Sequence, residues 1–71
     1  MRSLAQLNSA IVSEFPGLDI ELVKGSGYFY FSGEDGLRLS IPSIYVCHFN
    51  HMTGEQWAAV IDVVRAAIES E

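Results

Sequence analysis

Lys24-Gly25-Ser26-Gly27-Tyr28-Phe29-Tyr30-Phe31, KGSGYFYF in one-letter code, sets four consecutive aromatic residues behind two glycines in a chain of 71 residues. The run before it, Asp19-Ile20-Glu21-Leu22-Val23-Lys24, alternates polar and apolar residues as a half-buried strand does. The pattern predicts a hairpin with strands at 19–24 and 27–32. Gly25-Ser26 is the expected two-residue loop, because glycine tolerates the positive φ such turns need. That loop pairs Lys24 with Gly27, Leu22 with Phe29 and Ile20 with Phe31 on one face. It pairs Val23 with Tyr28 and Glu21 with Tyr30 on the other. The phenylalanines then face the core and the tyrosines face outward, where an apolar ring with a wet hydroxyl is tolerated.

On either side of the hairpin the sequence predicts helices. Leu4, Leu7, Ile11 and Phe15 recur at spacings of three and four over residues 3–15, with Ser3 as N-cap and Pro16-Gly17 as the stop. A last helix starts at Thr53, which with Gln56 makes a capping box. Its apolar stripe is Trp57, Val60, Ile61, Val64 and Ile68, widened by Ala59, Val63, Ala66 and Ala67 so that it touches two neighbours. Between hairpin and last helix, Gly33-Glu34-Asp35-Gly36 reads as a turn, and residues 37–42 as a connection of undefined path. Ser43 to Phe49 reads as a third strand with Ile44 and Val46 inward and Tyr45 and Cys47 outward. The expected fold is one α+β domain spanning residues 1–71, helix, three-stranded antiparallel sheet, helix, with both helices on one sheet face. The open face would display Tyr28, Tyr30 and Tyr45 beside Asp19 and Glu21.

Composition narrows the function. Hydrophobic residues are 49% and charged residues 18%, which suits a compact globule and leaves no room for a second domain. The single cysteine, Cys47, precludes an internal disulfide. The N-terminal residues lack the unbroken apolar run of a signal peptide, and no run approaches the ~20 residues of a membrane span. A cytoplasmic protein without membrane contact is the expectation. Four Lys and Arg (Arg2, Lys24, Arg38, Arg65) stand against nine Asp and Glu, a net charge of −5. Nucleic-acid binders normally carry a basic patch, so this balance argues against nucleic acid and toward a basic partner.

The aromatic run lies close to the strand motif of RNA-recognition domains, yet it departs in ways that matter. Ser26 stands where that motif needs an aromatic, the strand sits in the first hairpin, and Asp19 and Glu21 would repel a nucleic-acid backbone. Cys47-His48-Phe49-Asn50-His51 offers metal-capable side chains. In a strand, however, Cys47 and His48 point to opposite faces, and a structural zinc site lacks its fourth ligand, so no metal or other cofactor is expected. The same divergence argues against a Cys-His nucleophile. Glu34 and Asp35 lie in a glycine-flanked turn where solvent keeps both ionised, so they are poor acid–base catalysts. An enzyme is not expected.

Two segments, VKGSGYFYFSG (Val23 to Gly33) and SIYVCHFNHMTGEQW (Ser43 to Trp57), resemble a group of short proteins from phages and bacterial mobile elements. In outline these pair an aromatic VKGxGYFYF hairpin with an S-x-YV strand and a T-x-EQW helix start. In size and acidity the chain also resembles the anti-CRISPR proteins that block type I surveillance complexes, type I-C first among them. The resemblance implies a stoichiometric inhibitor in the host bacterial cell that occupies a DNA-binding, Cascade-type surface. On that reading Asp19, Glu21, Glu34 and Asp35 stand in for phosphates, and Tyr28, Tyr30 and Tyr45 pack against arginine. A monomer is the expected state. The alternative is a structural or regulatory module that dimerises through the Val63 and alanine side of the last helix.

Overall fold

The computed structural model describes residues 2–70. In chain order they form helix α1 (Leu4–Glu14), strands β1 (Glu21–Lys24) and β2 (Phe29–Ser32), a short helix α2 (Glu34–Arg38), a 3-10 turn (Phe49–His51) and helix α3 (Gly54–Glu69). The protein is α+β, but its sheet has two strands where three were expected. No helix among the described residues is long and apolar enough to cross a membrane.

Both long helices start where their spacing predicts and bury the centre of each apolar stripe, but Ala59, Val63 and Ala66, expected to widen the buried arc of the last helix, are exposed, so that helix buries one narrow stripe instead of two faces. The Ser3 hydroxyl accepts the Gln6 N–H at 3.2 Å, and α1 buries Leu7 and Ile11. At α3 the Thr53 hydroxyl accepts the Gln56 N–H at 3.1 Å while the Gln56 side chain accepts the Thr53 N–H at 2.8 Å, so the capping box is complete. Trp57, Val60 and Val64 of this helix enter the same core as Leu7, Ile11, Ile20, Leu22, Phe29 and Phe31. An aromatic group ties the core together. Trp57 stacks on Phe49 with centroids 4.5 Å apart, meets Phe29 edge-on at 5.2 Å, and donates its indole N–H to the Phe49 carbonyl at 2.6 Å. A buried indole N–H needs such a partner, and this one holds the 3-10 turn over the ring.

The hairpin register differs from the expected one by two residues. Glu21 pairs with Ser32, Leu22 with Phe31, Val23 with Tyr30 and Lys24 with Phe29, and the Gly25 N–H donates to the Tyr28 carbonyl at 2.7 Å. The loop is therefore Ser26-Gly27, with Gly27 at a φ of 82°. Since side chains repeat every two residues along a strand, a two-residue slip leaves each on its expected face. Phe29 and Phe31 remain buried, and Tyr28 and Tyr30 remain on the opposite side.

The third strand is reduced to one bridge, in which Phe29 and Ile44 exchange both backbone hydrogen bonds at 2.8 Å. Antiparallel ladders repeat such pairs every second residue. The next pair in one direction would set Pro42 against Phe31, and proline has no N–H to give. In the other direction it would set Val46 against Gly27, which already forms the hairpin turn, and the Val46 N–H contacts the Ile44 carbonyl at 3.1 Å instead. Inward and outward alternation survives without the strand: Ile44 and Val46 pack against the core while Tyr45 and Cys47 are exposed.

The expected GEDG turn is the start of α2. Asp19, just before β1, supplies the whole N-terminal cap. Its side chain accepts the Glu34 N–H at 2.9 Å, and its carbonyl accepts the N–H groups of Asp35 at 3.0 Å and Gly36 at 3.2 Å. In return the Asp35 carboxylate accepts the Asp19 N–H at 2.8 Å. The approach is so close that a Cβ on Gly33, itself at a φ of 88°, would lie 2.5 Å from the Asp19 carbonyl oxygen.

On the far side of the hairpin, the Asn8 amide of α1 clamps the backbone of Leu22. It accepts the Leu22 N–H at 2.8 Å and donates to the Leu22 carbonyl at 3.0 Å, occupying the edge of β1 as a neighbouring strand would. Asn8→Ala is expected to lower stability by about 1–3 kcal/mol, because two backbone groups lose their partner. Chemical denaturation measures the loss, and Ser9→Ala serves as the unchanged control.

Candidate functional site

The uncovered face of the hairpin is a row of tyrosines. Strand parity puts Tyr28 and Tyr30 of β2 opposite the buried phenylalanines, and the Phe29–Ile44 bridge sets Tyr45 directly across from Tyr28. The ring centroids of Tyr28 lie 5.8 Å from those of Tyr30 and 6.3 Å from those of Tyr45, tilted by 41° and 35°. These separations fall within the range of favourable ring pairs. Tyr30 is half-buried, Tyr28 is 36% exposed and Tyr45 is 81% exposed, so the row opens toward solvent at the Tyr45 end.

Two neighbours shape this face. Gly25 lies under Tyr28, so near that a Cβ there would be 2.8 Å from the ring. Val23 is half-buried beside Tyr30 and adds apolar surface, a contribution that the alternation of β1 signals equally well but that sequence reasoning did not single out. Glu21, exposed and on the same face, sits two residue pairs farther along the ladder, opposite Ser32.

The four carboxylates proposed for the site divide into two kinds. Glu21 and Glu34 are exposed. Asp19 and Asp35 are engaged in capping α2, and Asp35 also takes the Arg38 guanidinium at 2.9 Å. The Asp19 N–H, followed by the Arg38 side chain, holds the Asp35 carboxyl below its ordinary value of 3.8. Asp35 is half-buried and offset by Arg38, whereas Asp19 is exposed and keeps its charge while capping α2, so the uncompensated negative charge of this region comes from Asp19, Glu21 and Glu34.

The Cys47–His51 segment is not a strand. Cys47, His48 and His51 are all exposed, and His48 and His51 bracket the 3-10 turn with ring centroids 5.0 Å apart. No group of three or more His, Cys, Asp or Glu side chains among the described residues is arranged to hold a metal ion. Comparison of the chain with protein-family models, curated proteins and solved structures finds no match in any of the three.

Two outcomes are expected from this geometry. Gly25→Ala should displace the Tyr28 ring, a flexible side chain, while changing stability by less than ~1 kcal/mol; the Tyr28 ring resonances and a denaturation curve report the two effects. Asp35 has a depressed folded-state pKa, so its contribution is present above the unfolded value of 3.8 and is lost as pH falls below it. Asp35→Asn should therefore be less stable than the parent at neutral pH, and the two should converge in acid, as urea unfolding at several pH values would record.

Proposed function

We propose that this protein is a stoichiometric binding protein whose contact surface is the Tyr28–Tyr30–Tyr45 face with Glu21 on the same side and the exposed Asp19 and Glu34 adding negative charge, aimed at a basic, nucleic-acid-handling protein surface. The observation that carries this reading is the row of three adjoining, outward tyrosine rings on the uncovered side of a two-stranded sheet. Tyrosine is enriched at the centres of interfaces because it provides a large rigid area with a polar tip. The net charge of −5 selects for a positive partner and steers it at long range. A guanidinium fits over a phenol ring while a carboxylate pairs with it.

The sequence resemblance directs the proposal to the DNA-binding surface of a type I surveillance complex, type I-C first, with the chain excluding DNA by occupying that surface. The cytoplasm of the host bacterium is where such a complex is met. A second reading, an interaction module that pairs through α3, is favoured by Val63, which is 48% exposed between the exposed Ala59 and Ala66.

The test uses purified surveillance complex and its target DNA. Glu21→Lys with Glu34→Lys reverses the surface charges while leaving the Asp19–Asp35 cap intact, and Tyr45→Ala removes the most exposed ring. Each variant is expected to fold, and Tyr45→Ala to lose roughly 30-fold in affinity, the equivalent of a ~2 kcal/mol interface anchor. Binding of the parent should fall steeply with added salt. Full inhibition by both variants would remove this face from the interface, and a salt-insensitive dimer lost in Val63→Glu would favour the second reading.

A further inference from the structure

We propose that His48 and His51 together chelate one divalent transition-metal ion of the zinc type. The inference is independent of the tyrosine face and rests on the turn that replaces the expected third strand. His48 precedes the 3-10 turn and His51 closes it, with the His51 N–H donating to the His48 carbonyl at 3.1 Å. His48 is the extended residue before the turn and His51 its last residue, and the turn brings two imidazoles that a continuous strand would put on opposite faces next to each other.

Their spacing matches joint coordination. A nitrogen bound about 2.0–2.1 Å from zinc puts its ring centroid roughly 3.2 Å from the ion, so two such rings stand about 5.2 Å apart at a tetrahedral angle and about 4.5 Å apart at a right angle. The observed separation is 5.0 Å. Both side chains are exposed, so an ion can reach them and water or an outside ligand can fill the remaining positions. Imidazole suits zinc, nickel and copper, while calcium and magnesium require oxygen donors. An ion held at two points stays open on its other side, unlike a closed structural zinc site. Cys47, on the preceding residue, does not join the pair in any three-ligand group.

The test titrates tag-free protein with zinc chloride at neutral pH and follows the side-chain nitrogen resonances of both histidines, with calorimetry giving the stoichiometry. The expected result is that both imidazoles shift together and saturate at one zinc per chain. His48→Ala and His51→Ala should each weaken binding at least about tenfold, on the scale of a lost coordination-shell contact, while Cys47→Ser binds as the parent does. Unchanged unfolding midpoints without metal establish that the variants are folded. Undiminished zinc binding in His48→Ala/His51→Ala, a shift of one histidine alone, or an equal loss in Cys47→Ser would overturn the proposal, as would the absence of saturable binding by the parent.

Discussion

Phe29 is the residue on which the rest of this structure turns. Its ring is fully buried against Trp57 and Phe49, and its backbone is the one point at which the hairpin and the following segment are hydrogen-bonded as strands. Burying a ring of this size contributes ~1.5–3 kcal/mol, and parity then leaves its two neighbours no choice of side. Tyr28 and Tyr30 face away from the helices because Phe29 faces toward them. The bridge to Ile44 extends the same constraint to Tyr45. One buried phenyl ring thus positions three phenol rings on the opposite face, and the candidate site is a by-product of how the core is filled.

Charge contributes to this fold mainly through hydrogen bonds. The exposed pairs that Arg65 makes with Glu14 and Asp62, and that Arg38 makes with Asp35, belong to a class worth about 0–1 kcal/mol. Asp19 does more by meeting the first three N–H groups of α2, which no residue of α2 itself could satisfy. Its position before β1 means that this cap also ties the base of the hairpin to the short helix after it. The carboxylates of the chain therefore serve two purposes. Asp35 belongs to the architecture and Asp19 both caps α2 and stays exposed, whereas Glu21 and Glu34 are free of the cap and lie on the surface where a basic partner can meet them.

A two-stranded sheet exposes its backbone on both sides, and this chain manages each edge differently. Asn8 closes the outer edge of β1 with the two hydrogen bonds an adjacent strand would make. Beyond β2 the edge is covered for a single residue pair, and Pro42 stops it from going farther. These devices limit strand addition by other chains. The side-chain face stays available, so recognition through the tyrosine rings is favoured over recognition through the backbone.

Patterns of short range were legible in the sequence. Apolar spacing, Ser3 and the Thr53–Gln56 box located α1 and α3, and the alternation on either side of the glycines assigned the phenylalanines to the core and the tyrosines to the surface. These features depend on the helical and strand periods and on residues three or four apart, which act within one element. The register, the single bridge at Ile44, the short helix α2 and the dual role of the aspartates came only with the tertiary structure. Asp19 meets α2 across fifteen or more residues of sequence, and Asn8 meets Leu22 across fourteen. No local rule links such residues. The loop moved to Ser26-Gly27 because two glycines were available and only the packed hairpin chose between them. The 3-10 turn at 49–51 formed because Trp57 draws Phe49 over its ring, a contact that propensity along the strand-like run from Ser43 could not anticipate.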